Sequence, residues 1–172
     1  VIAADESFRN VTEALAERYV AHYPETKLHL KFQKEDYALM DLLKRNVRVI
    51  VMSRELTDRE KKLYEEMVDL PLQPAKFAGD AVVFVVAKNS PRNSISVQEI
   101  KDELQSDEKN VIFDGVNASN FNFVAQKLNL KPQNIKYSLI KGNKAIVEQI
   151  NKFPNSIGVI SLNTISNPYS RE

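Results

Sequence analysis

Cysteine and tryptophan are absent from this 172-residue chain, and glycine occurs only four times. Without cysteine there is no disulfide, no thiolate metal ligand and no thiol nucleophile, and cysteine usage carries no information about the redox compartment. Four glycines leave no phosphate-cradling loop for a nucleotide, and the patterns G-x-x-x-x-G-K, G-x-G-x-x-G, G-x-S-x-G and H-E-x-x-H are all missing. Charge of one sign is missing as well. With 24 basic and 23 acidic side chains the net charge is +1, so no global field favours nucleic acid, an anionic membrane or an acidic substrate, and electrostatic recognition has to be local. The longest apolar run, AVVFVVA at 81–87, falls far short of the roughly 20 residues that cross a bilayer. The two histidines, His22 and His29, have no partner at metal-ligand spacing and read as surface or boundary residues; no metal and no cofactor is expected.

What is present is a globular composition, 43% hydrophobic and 27% charged, enough for one sizeable core or two small lobes. VIAA reads as a strand, and Phe8, Val11, Leu15, Tyr19 and Tyr23 then recur at helical spacing until Pro24. TKLHLKF alternates as a strand. KEDYALMDLLKRN reads as a helix with Tyr37, Met40 and Leu43 inward, and VRVIVMS as a buried strand. Thr57 with Glu60, and Ser96 with Glu99, match capping boxes that open two further helices. Between them, DLPLQPAKFAGD is a proline-bearing hinge or linker that leads into AVVFVVA. NVIFD, IKYSLI and SIGVISL read as strands, NFNFVAQKLNL and NKAIVEQINKF as helices. The alternation predicts an α/β protein of two lobes with mixed, largely parallel sheets. Its boundaries are 1–78 for the first lobe, 79–162 for the second, and 163–172 as the start of a return toward the first. No sequence repeat is visible.

Three stretches, ADESF, MSRELT and FDGVNASN, share one design: a strand ends in a short loop rich in Ser, Asn, Asp or Thr, and a helix begins at once. In α/β sheets ligands bind beyond the carboxyl ends of strands, where helix N-termini present free N–H groups that suit a small oxyanion. Taken singly, each stretch is equally an ordinary N-cap. Arg54 adds a permanent charge and a planar donor fork; it reads either as an anion partner or as a solvated or lobe-bridging arginine. Asp5 and Glu6 would repel a dianion if turned inward, so they are expected to face solvent or pair with a basic group.

Five segments taken in order resemble the substrate-binding proteins of ABC-type phosphate transporters, in particular a lipoprotein-like branch found in Bacteroidetes. They are ADESF with VTEALAERYVAHYPETKLHLKF, DLLKRNVRVIVMSRELTDRE, AGDAVVFVVAKNSPRNSISVQEIKDEL, VIFDGVNASN and VEQINKFPNSIGVISLN. The resemblance implies a type II periplasmic-binding-protein-like fold, with two α/β lobes and phosphate held in the cleft between them. It also implies delivery to an ABC permease and a periplasmic or cell-surface location, with membrane attachment only through an N-terminal lipid. Carried over by position, Ser7 and Phe8 match the helix-start donors of the first lobe, Ser53 a serine at the end of a first-lobe strand, and Ser119 the serine that opens a second-lobe helix. Asn117 and Asn120 flank Ser119 in the same loop.

Two departures from the family pattern set the chemistry to be tested. Many phosphate-binding proteins have Ser-Asp where this chain has Ser53-Arg54, and Arg followed by Ser-Gly-Thr where it has DGVNASNF. The cation and the carboxylate have changed sides, so Arg54 is the expected charge partner and Asp114 the acceptor of the proton of HPO4 2−, which sulfate lacks. The alternatives are a binding protein for sulfate, molybdate or tungstate, and a ligand-free interaction or scaffold protein on the same fold. Nothing fixes a base beside Ser119, so a hydrolase built on Ser119 and Asp114 is not the expectation.

Overall fold

The computed structural model describes residues 1–165; residues 166–172, most of the segment expected to return toward the first lobe, lie outside the described residues. The chain divides into two compact units, Val1–Gly79 and a second from Asp80 on.

In the first unit β1 (Ile2–Ala4) runs through a 3-10 turn at Glu6–Phe8 into α1 (Arg9–His22). After it come β2 (Leu30–Phe32), α2 (Glu35–Leu43), β3 (Val49–Val51) and α3 (Asp58–Met67). The three strands form an all-parallel sheet in the order β2-β1-β3, with Ala3 opposite Lys31 on one side and Ile50 on the other. Alternation along the strands gives each face a different cover. Ala3 and Ile50 pack with Ala38, Leu39 and Leu42 of α2 and Tyr64 of α3, while on the other face the Arg9 guanidinium of α1 lies 3.9 Å from the Phe32 ring centroid.

Three expectations are corrected here. On α2 the inward face is Ala38, Leu39 and Leu42; of the expected residues Leu43 packs against that core, and Tyr37 and Met40 are exposed. The helix is apolar on more than one side, so spacing alone does not choose the buried one; the small Ala38 lets the helix lie close to Ala3, and that decides it. On α1 the Leu15, Tyr19 and Tyr23 stripe is exposed, with the two tyrosine rings 4.7 Å apart, and Thr12 is the buried residue. TKLHLKF forms a strand only at Leu30–Phe32, because β1, its ladder partner, is itself only three residues long.

The second unit contains β4 (Val82–Val86), α4 (Val97–Glu103), β5 (Val111–Phe113), α5 (Ser119–Lys127), β6 (Ser138–Leu139), α6 (Asn143–Gln149) and β7 (Ile157–Ser161). Its sheet order is β4-β7-β5-β6, parallel except for β4 against β7. Val111, Phe113 and Val159 face Phe121, Val124 and Ala125 of α5 and Ile100 of α4, and Phe113, Phe121 and Tyr137 form an aromatic trio with centroids 5.2–5.9 Å apart. Ile112 and Ile160 point the other way, onto Ile146 of α6 and Ile150. The α/β architecture with mixed, largely parallel sheets is as expected.

The two sheets share a plan that no repeat in the sequence announces. In each, a strand-helix-strand-helix-strand run places its second and third strands on opposite sides of its first: β2-β1-β3 in one, β6-β5-β7 in the other. Strand order therefore reverses next to β1 and next to β5, and crevices for ligands open beyond the carboxyl ends of strands at such points.

Candidate functional site

Beyond the carboxyl ends of β1, β2 and β3 the first unit collects a polar cluster. Asp5 follows β1 directly and is fully buried. One carboxylate oxygen accepts the Ser7 N–H at 2.9 Å and the other the Glu35 N–H at 2.9 Å, so a single side chain caps both the turn after β1 and the start of α2. Glu35, three residues past β2, is also fully buried. Its Oε2 accepts the Ser53 N–H at 2.8 Å and the Ser53 hydroxyl at 2.9 Å, and its Oε1 lies 3.2 Å from Arg54 Nε.

Arg54 completes the group. Its side chain is 8% exposed, and its two terminal nitrogens bond both oxygens of Glu60 at 2.8 and 2.9 Å. The Glu60 bond raises the guanidinium pKa, burial opposes this, and the Glu35 charge raises it further. Burial pushes the Glu60 carboxyl up, but bonds from Arg54 and from the Thr57 backbone and hydroxyl outweigh it and bring the pKa from 4.5 to about 2. Glu60 also closes the capping box of α3 with Thr57, so one carboxylate serves the helix start and the arginine together.

The cluster unites three of the residues expected from sequence, Ser7, Ser53 and Arg54. Phe8 lies beside them as the residue preceding α1, with its N–H bonded to the Asp5 carbonyl at 2.9 Å. The Arg54 guanidinium is buried and pairs with Glu35 and Glu60 of its own unit, a pairing that neither reading of the sequence included. The expectation for the acids splits: Glu6 pairs with Arg9 at 2.9 Å on the surface, whereas Asp5 is buried, with its carboxylate accepting two backbone N–H groups. Glu35 was missed. It occupies the first helical position of α2, where an acid reads as routine complement to the macrodipole, and only the parallel pairing of β1, β2 and β3 brings it to Ser53.

In the second unit Asp114 directly follows β5 and is 1% exposed. Gly115 then turns the chain with φ 138°, a conformation that glycine adopts without strain. Asn117 is half-buried in that turn, and Ser119 and Asn120, both buried, open α5. The Asn120 amide donates to the Asn143 carbonyl oxygen at 2.9 Å. Asn143, the first residue of α6, follows Gly142 at φ 92°, and Ser161 ends β7 with its hydroxyl 2.9 Å from that of Thr164. Asn143 and Ser161 were not foreseen. They are the second-unit counterparts of Glu35 and Ser53, just as Asp114 and Ser119 are of Asp5 and Ser7. His22 and His29 are exposed, and among the described residues no group of three or more His, Asp or Glu side chains could hold a metal ion. No helix among them is long and apolar enough to cross a membrane.

Two sheets of one plan, each with a buried polar cluster at its switch point, define a two-unit α/β architecture. The family of the PBP superfamily domain matches residues 1–172, and the chain belongs to it. Among solved structures, the chain is similar to a Clostridium perfringens protein with bound phosphate, assigned to phosphate ABC transport, at 18% identity and TM-score 0.79, covering 94% of this chain and 69% of that one. An ABC-type phosphate transport receptor from Vibrio cholerae matches at 16% identity and TM-score 0.72, over 96% and 72% of the two chains. The OxyR2 regulatory domain from Vibrio vulnificus matches at 12% identity and TM-score 0.65, over 97% and 74%. A search of curated proteins finds no match. At these identities the structural matches establish the fold alone.

Proposed function

We propose that this chain is an extracytoplasmic solute-binding protein that captures inorganic phosphate for an ABC importer. The observation that carries the reading is the paired serine and helix-start arrangement at the two switch points: Ser7 and Ser53 with Phe8 in the first unit, Ser119 with Asn117 and Asn120 in the second. N–H and O–H donors at strand ends and helix starts are the groups that suit a small tetrahedral oxyanion. The phosphate-bound structure and the phosphate receptor among the similar folds support the same ligand. In this reading Asp114 accepts the proton of HPO4 2− and so disfavours sulfate. Arg54 acts at one remove, through Glu35, the carboxylate to which the Ser53 N–H and hydroxyl donate. A permease is the downstream partner, and the resemblance to the lipoprotein-like branch extends the proposal to a lipid-anchored, periplasmic or cell-surface form. The role is capture, not catalysis.

Thermal unfolding of ligand-stripped protein with phosphate, sulfate, molybdate or citrate at matched ionic strength tests the reading. Phosphate at about a hundred times its dissociation constant stabilises the native state by about 2.7 kcal/mol, a shift of a few degrees, and Asp114→Asn narrows the gap between phosphate and sulfate. A shift with molybdate or sulfate alone reassigns the anion. No shift with any of the four defeats small-anion capture and favours a scaffold role.

A further inference from the structure

A carboxylate and a phosphate ask for the same partners: converging N–H and O–H donors, with a guanidinium where one is in reach. At the end of β3 the chain assembles such a set from the Ser53 N–H, the Ser53 hydroxyl and Arg54 Nε, at 2.8, 2.9 and 3.2 Å. What the set holds is a side chain of the same molecule, the fully buried carboxylate of Glu35. The Glu35 backbone is fixed in turn, its N–H bonded to Asp5 at 2.9 Å. The fold itself does not demand a carboxylate there. In the second unit, with the same strand order, the equivalent first residue of the helix after the second parallel strand is the neutral Asn143, engaged with Asn120.

We propose that the Ser53–Arg54 donor set is an oxyanion seat which the chain itself occupies with Glu35, so that Glu35 is a tethered competitor that sets how tightly the first unit holds a free oxyanion. The inference deepens the solute-binding reading and rests on it for the identity of the natural ligand; the seat is tested separately. A tethered anion has a high effective concentration at its own donors, so a free oxyanion gains Ser53 only by displacing Glu35 or after Glu35 is removed. Glu60 keeps Arg54 paired and in place when Glu35 is gone.

The test follows thermal unfolding of wild type, Glu35→Ala and Glu35→Gln in sodium formate, phosphate, sulfate or chloride at equal ionic strength, with calorimetric titration of phosphate. Formate and phosphate are expected to raise the midpoint of Glu35→Ala saturably, and by several degrees more than that of wild type. Glu35→Gln, which keeps the shape and an acceptor oxygen but not the charge, is expected to bind phosphate at least about tenfold more tightly than wild type. If Glu35→Ala is unfolded in chloride, recovery of a cooperative transition in formate supports the seat. Phosphate binding by wild type with no gain in either variant overturns the seat and leaves the solute-binding reading standing. A gain in the variants with no binding by wild type upholds the seat and overturns phosphate capture. No anion response in any of the three proteins overturns both.

Discussion

At the scale of single residues, the first-unit cluster shows how a chain with almost no net charge places strong local charge. Asp5, Glu35, Glu60 and Arg54 sum to −2, yet each acid has its own donors: backbone N–H groups for Asp5, Ser53 and Arg54 for Glu35, Arg54 and Thr57 for Glu60. The Glu60 pair has a definite sign in pH. Its carboxyl titrates at about 2 in the folded chain against an ordinary value of 4.5. A depressed carboxyl contributes stability that is complete above the unfolded value and is lost as pH falls through the folded one. The difference in urea midpoint between wild type and Glu60→Gln is therefore expected to be largest above about pH 5 and to shrink steadily toward pH 2. A difference that stays constant over that range would show that Arg54 and Thr57 do not hold the Glu60 carboxyl below its ordinary value.

At the scale of elements, close approach decides what the pattern of apolar residues leaves open. Gly158 sits within β7, between β4 and β5, and a Cβ there would lie 2.6 Å from Ile146 Cγ2 of α6 and 2.9 Å from Val85 Cγ2 of β4. Ile146 is fully buried against Ile112, Ile150 and Ile160 and has nowhere to swing. Gly158→Ala is expected to destabilise by about 1–3 kcal/mol, more than the roughly 0.5–1 kcal/mol that alanine gains over glycine in a regular element. Urea unfolding measures the balance, and a variant as stable as wild type would mean that α6 does not press on β7 as described. The same principle explains what sequence made legible. Both capping boxes, Thr57 with Glu60 and Ser96 with Glu99, are present as expected, because a cap is written in four consecutive residues. Ser7, Ser53 and Ser119, each between a strand and the helix that follows it, were legible for the same local reason, whereas Ser161 at the end of β7 was not. The inward face of α2 was not, since Ala38 gains its place from Ala3, a residue 35 positions away. Glu35 was illegible as a site residue because its partner Ser53 lies 18 positions on, and only parallel pairing around β1 joins them.

At the scale of the whole molecule, each unit carries its own core. Ala3, Leu39, Leu42, Tyr64 and Val68 make that of the first, and two clusters on opposite faces of the four-stranded sheet make that of the second. From Asp69 to Ala81 the chain has no helix or strand and is exposed at every residue but Leu72. The segment includes Pro71 and Pro74, which deny it ladder donors, and it holds one tryptic site, Lys76 before Phe77. Proteases cut where backbone is exposed and free of regular hydrogen bonds, whereas sites inside packed elements wait for local unfolding. Brief trypsin treatment under native conditions is expected to cut first after Lys76, giving one fragment of residues 1–76 and one beginning at Phe77. Intact-mass spectrometry at early times identifies the pair. A first cut within α2, α3 or α5, all of which contain or adjoin basic residues, would mean that the unit concerned opens more readily than this segment is cleaved, and that its core holds it together less well than its buried residues suggest.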